Sequence, residues 1–130
     1  MLNRDFLVDF LKNQNQNPIL IGKYKTQIET SSAGTFYTLC YSGDGQRVGW
    51  GASDTIIAQI KEHRTSFILL TDATNDKMYV IPNGNYDVFL KSLKEKNGCY
   101  KIDVNKVKDK SRNINYEISF QNFHEYIGNC

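Results

Sequence analysis

Between Lys91 and Arg112 the chain carries eight basic residues (Lys91, Lys94, Lys96, Lys101, Lys106, Lys108, Lys110 and Arg112) against three acids, Glu95, Asp103 and Asp109. That excess sits in a chain whose formal net charge is only +2, so the remainder is slightly acidic. Lysines this dense suit phosphate oxygens, because each neutralised phosphate releases condensed counterions. Toward the end of the stretch and just past it, Lys106, Lys108, Lys110, Arg112 and Asn113 combine groups that hydrogen-bond phosphates with groups that reach base edges. Two further polar sets are of similar chemistry: Lys23, Lys25 and Gln27 beside Thr30-Ser31-Ser32, and Ser42, Gln46 and Arg47 around Gly43-Asp44-Gly45. Arg47 or Arg112 has the planar fork that pairs bidentately with guanine. The same composition also describes a solvated helix end followed by a lysine-rich loop.

Trp50, the only tryptophan, stands between Gly49 and Gly51, three residues before Ser53. Such a ring either stacks on an extruded base, closes a ligand pocket, or plugs a core beside which glycine lets backbone pass closely. Catalytic patterns are missing. No Gly-x-x-x-x-Gly-Lys-Ser/Thr loop is present, and Gly49-Trp50-Gly51 lacks the third glycine of a dinucleotide fingerprint. His63 and His124 lie far apart, and His63 falls at the end of a helical pattern, where a cationic ring complements the helix dipole. A metal-dependent nuclease wants an acid followed by Asp/Glu-x-Lys on a strand, so that carboxylates hold the ion and lysine steadies the phosphate. The nearest approaches are Asp72 with Asp76-Lys77, and Asp103 with Asp109-Lys110; both lack the intervening residue and sit in turn-like sequence. Cys40, Cys99 and Cys130 are too widely spaced for a zinc site, and Cys40, inside an apolar strand, reads as a core thiol. No catalytic residue, metal ligand or cofactor is therefore expected.

The elements that must position these groups follow from periodicity. Asn3 caps a helix with Phe6, Leu7, Phe10 and Leu11 on one face, ended by the Asn/Gln run before Pro18. Alternation predicts one strand over Ile19–Glu29 and another over Thr35–Ser42, with Gly43-Asp44-Gly45 closing a hairpin into a strand around Val48. Ser53-Asp54 opens a helix carrying Ile56, Ile57 and Ile60. Phe67–Leu70 and Met78–Ile81 pair across Asn75-Asp76. Tyr86, Phe89, Leu90 and Leu93 mark a third helix stopped by Gly98. Cys99–Val104 and Ile114–Phe120 alternate as strands around the basic loop Asn105–Asn113, and Phe123, Tyr126 and Ile127 suggest a closing helix. About seven strands and three or four helices give an α+β fold: a curled, mainly antiparallel sheet or half-open β-barrel flanked by short helices.

With 130 residues, 40% of them hydrophobic, the chain reads as one domain over residues 1–130, alone or as the N-terminal DNA-recognition module of a longer protein. No apolar run approaches the ~18 residues of a membrane span, and the N-terminus lacks a secretory pattern, so a cytoplasmic protein without membrane contact is expected.

The order of a helix, polar-looped strands, Trp50-x-x-Ser53 ahead of a helix, and apolar strands ending at Ile81-Pro82 resembles target-recognition domains of bacterial restriction systems. These include the N-terminal specificity domains of McrBC-like enzymes and the B3-type pseudobarrels shared with plant transcription factors. The resemblance implies two loop arms gripping the major groove, matched here by the Lys23–Arg47 hairpins and by Ala73–Lys77 or Lys106–Asn113. It implies sequence-specific double-stranded DNA binding by a non-catalytic specificity domain of a restriction or defence protein, with other subunits or domains of a restriction complex as further partners. The alternatives are a protein-binding module, such as a phage-encoded inhibitor or adaptor, and a small ligand-binding protein with a pocket near Trp50.

Overall fold

A computed structural model describes residues 3–21, 27–31, 34–62 and 65–123. Helix α1 (Arg4–Asn13) precedes strands β1 (Ile19–Ile21), β2 (Gln27–Glu29), β3 (Thr35–Tyr41) and β4 (Gly49–Ser53). Helix α2 (Asp54–Lys61) leads into β5 (Phe67–Asp72) and β6 (Lys77–Pro82), and then α3 (Tyr86–Lys91). Short strands follow: β7 (Glu95–Lys96), β8 (Cys99–Asp103), β9 (Lys108–Asp109), β10 (Ile114–Asn115) and β11 (Glu117–Ile118). Residues 120–123 are helical.

The main sheet runs β1-β2-β3-β5-β6-β11, a second sheet runs β4-β8-β7, and β9 pairs with β10. Among these pairings only β3 with β5 is parallel, from Phe36↔Phe67 to Tyr41↔Asp72. Parallel neighbours require a long crossover, and the stretch through β4 and α2 supplies it. The class is α+β as expected, and both sheets are open, so no barrel closes.

All six residues of β5 are buried, which explains the unbroken apolar run Phe67–Leu70. One face of the main sheet packs Phe36, Phe67, Leu69, Met78 and Val80 against Leu7, Phe10 and Leu11 of α1. The other packs Tyr37, Ile68, Leu70, Tyr79 and Ile81 against α2, α3 and the inner side of the second sheet, through Ile57, Ile60, Phe89, Trp50 and Ile102. Helix starts follow the side chains that cap them: Asn3 Oδ1 accepts from the Phe6 amide at 2.8 Å, and Ser53 Oγ from the Ile56 amide at 3.3 Å.

Several local expectations change. The single strand expected over Ile19–Glu29 is two strands paired with each other, Ile19 opposite Glu29. The strand around Val48 does not return against β3, whose neighbours are β2 and β5; β4 pairs instead with β8. Gly98 does not stop α3. Asn97 and Gly98, at φ 54° and 76°, form the two-residue turn between β7 and β8, where both positions need a left-handed backbone. Cys40, expected in the core, is exposed. Period two puts it on the α1 side of β3 beyond Thr38, in register with Thr71 near the end of the strand. The expected strand Ile114–Phe120 is interrupted, with β10 and β11 going to different partners. Tyr126 and Ile127, and likewise His63, His124 and Cys130, lie outside the described residues.

Candidate nucleic-acid interface

Alternation along β8 decides where its charges go. Ile102 is buried and Tyr100 packs beside it on the core, so Lys101 and Asp103 project from the opposite, outer face. The tight turn at Asn97-Gly98 brings β7 back alongside, with Lys96 opposite Cys99. Beyond β8 the chain turns through a 3-10 segment at Val104–Lys106. Together Lys94, Lys96, Lys101 and Lys106 line a cleft of ≈ 450 Å³ whose acids, among the described residues, are Glu95 and Asp103. Asp103 approaches Lys101 at 3.6 Å, and Glu95 accepts from the Gly98 amide at 3.3 Å. Lys94, Lys96 and Lys106 form no ion pair among the described residues.

A second depression, of ≈ 300 Å³, lies just beyond and is lined by Lys108, Lys110, Asn113, Ile114 and Asn115. Its loop is held by Asp109, which accepts from the Ser111 amide at 3.0 Å and from the Ser111 hydroxyl at 2.7 Å. The hydroxyl, aided by nearby Arg112, keeps the Asp109 carboxyl below its ordinary range. Asn113 closes the turn in the left-handed region, at φ 57°. Arg112 lies 3.6 Å from Asp109, and Lys108 donates to Glu117 at 2.8 Å.

Glu117 also lies 3.9 Å from Lys77 and fastens β11 to the edge of the main sheet. The hydrogen bond from Lys108 lowers its pKa, with the charges of Lys108 and Lys77 acting in the same direction against partial burial. A carboxyl lowered on folding stabilises the fold above its ordinary value of 4.5 and loses that contribution as pH falls through the lower folded-state value. Glu117→Gln is therefore expected to flatten the loss of stability on acidification below that pH, measured as the urea midpoint at neutral and acid pH. An unchanged acid dependence would show that other carboxyls carry it.

The Val104 amide donates to the Val48 carbonyl at 3.2 Å, which ties the residue after exposed Gln46 and Arg47 to the start of the Val104–Lys106 turn. Gln46 and Arg47 thus precede β4 and Lys106 follows β8, the strand paired with it, while Lys108, Lys110, Arg112 and Asn113 fall in the next stretch of chain. Lys23 and Lys25 lie outside the described residues. Sequence reasoning passed over Lys94, Lys96 and Lys101 as site residues. Their signal was the Asn97-Gly98 turn, which makes the lysines flanking it neighbours. Trp50 is only 4% exposed, its Nε1 donates to the Thr71 carbonyl at 3.0 Å, and its ring meets Tyr79 edge-on. It plugs the core and offers no face to a base, and Ser53 is spent on the α2 cap.

The carboxylates considered for metal chemistry are engaged elsewhere. Asp72, 2% exposed, accepts from the amides of Thr74 and Asn75 at 3.0 Å each and from the Asn75 side chain at 2.8 Å. Among the described residues no three His, Cys, Asp or Glu side chains converge to hold a metal ion. None of the helices among them is long and apolar enough to cross a membrane.

Open mixed sheet, parallel β3–β5 crossover and lysine-lined second sheet define an α+β protein. No family model and no curated protein matches the sequence. Among solved structures, the fold is similar to that of Hjc, a Holliday junction resolvase of Archaeoglobus fulgidus, with a TM-score of 0.50 and 12% identity over 94% of this chain and 91% of that one. This likeness overturns the expected kinship with McrBC-like and B3-type recognition domains. The geometry gives the reason. In place of splayed arms, the loop after β3 is fastened to the β5–β6 turn: Ala73 N donates to Tyr41 O at 2.8 Å, and the Thr74 hydroxyl to Gly43 O at 2.7 Å. The non-catalytic, non-enzymatic reading of a restriction specificity domain falls with that kinship, because the fold is shared with a resolvase, an enzyme.

Proposed function

We propose that this protein binds DNA through the two lysine-lined depressions and, on a fold like that of a Holliday junction resolvase, acts on branched DNA. The observation that carries the binding is the convergence of Lys94, Lys96, Lys101 and Lys106 on one cleft, three of them without an ion-pair partner among the described residues. Lysines here neutralise phosphates, while Arg47, Gln46, Arg112 and Asn113 supply groups able to reach base edges. Action beyond binding is supported by the shared fold.

The test uses a labelled four-way junction and a linear duplex built from the same arms, at about 50 and 200 mM salt. Retention of both is expected at low salt, with a steep loss at high salt and preference for the junction. Denaturing gels of the incubated junction are expected to show nicks. Binding without any nick overturns the catalytic part, and no retention at the lower salt overturns the whole.

A further inference from the structure

The outer face of the second sheet is nearly bare on β4. Trp50 and Ala52 point into the core, so Gly49, Gly51 and Ser53 form the outer row. Register sets Gly51 opposite Lys101, Gly49 opposite Asp103, and Ser53 opposite Cys99, which is in turn opposite Lys96. β4 is also an outer strand of this sheet. Glycine inside a strand weakens it, and it persists where packing forbids a side chain or where another backbone approaches closely. Packing accounts for Gly49: an added Cβ would stand 3.1 Å from the Ile102 carbonyl oxygen. It does not account for Gly51, where the nearest atom to an added Cβ is Cys99 Sγ at an ordinary 3.5 Å, and whose φ is not positive.

Resting on the DNA-binding reading above, we propose that this face seats the sugar–phosphate backbone of duplex DNA, which crosses the bare strip at Gly51 while Lys96, Lys101 and Lys106 reach its phosphates. Charge complementarity names the occupant: the lysines of the cleft surround the strip on the β8–β7 side. Duplex follows from what the face lacks. Single-strand binders offer aromatic platforms for unstacked bases, and the outward positions here are glycine, serine, cysteine, lysine and aspartate. The aromatic rings of these strands, Trp50 and Tyr100, pack on the core.

The experiment measures anisotropy of a labelled duplex and of its separate strand with the wild type, Gly51→Val and Lys101→Gln. Gly51→Val is expected to melt no lower than wild type, since valine suits a strand, and to bind duplex about tenfold more weakly as the backbone is lifted off its phosphate contacts. Lys101→Gln is expected to lower the slope of log affinity against log salt by about one. Gly51→Val and Lys101→Gln both binding as wild type would overturn this seat and leave DNA binding in place. Tighter binding of the single strand would overturn the duplex assignment. Failure of the wild type to bind any DNA would instead remove the functional reading on which the proposal rests.

Discussion

Converting Lys94, Lys96, Lys101 and Lys106 to glutamine is expected to weaken DNA binding by about a thousandfold at moderate salt and to flatten its salt dependence. The reasoning is counterion release: each phosphate neutralised contributes about 0.9 to the slope of log affinity against log salt. Four contacts therefore remove a slope of roughly 3 to 4. The formal net charge moves from +2 to −2, so long-range attraction changes as well. A second variant separates place from total charge. Lys61 and Lys91 line a different depression with Asp87 and Leu90, at α2 and α3, and their conversion to glutamine should leave the slope nearly unchanged. Stability should scarcely move in either case. Lys101 has only an exposed pair with Asp103, and exposed ion pairs contribute little. The same fall in slope per charge removed in both variants would show that net charge, and not the cleft, governs binding.

How far these groups were legible in the chain depended on how local their signals are. Asn3 and Ser53 cap their helices as read, and the Phe67–Ile81 hairpin forms across Asp76, at φ 54°. Each rests on contacts a few residues apart, so sequence carries it directly. Partner choice between strands is a different matter. Nothing within Gly49–Ser53 announces that it pairs with Cys99–Asp103, some fifty residues on, instead of with its neighbour β3. Composition pointed to the basic stretch, yet it could not say which lysines share a face. That followed from Asn97-Gly98, whose hairpin signal was hidden because glycine also ends helices. The restriction-domain likeness rested on element order, which the parallel β3–β5 pairing and the fastened loops reinterpret. Action on branched DNA enters through fold likeness alone, and no residue pattern in the chain foretold it.

Trp50→Ala is expected to cost roughly 3–5 kcal/mol of stability, the range for emptying a buried aromatic site. Three features put it there. The ring is 4% exposed and lies in the cluster shared by both sheets and α2. Its Nε1 bonds the Thr71 carbonyl of β5 at 3.0 Å, and its edge-on contact with Tyr79 reaches β6. Trp50 is therefore a tie between the lysine-bearing sheet and the main sheet, and its removal also takes a donor from a buried carbonyl, about 1–3 kcal/mol of the total. Trp50→Phe keeps a ring but no donor, so its cost should fall between wild type and alanine. Urea unfolding gives the three midpoints. A loss below about 1 kcal/mol for alanine would mean that the interlayer space closes without the ring. With the predicted loss, DNA affinity per folded molecule should fall too, because Gly51 and its neighbour Lys101 are held in place by the strand that Trp50 anchors.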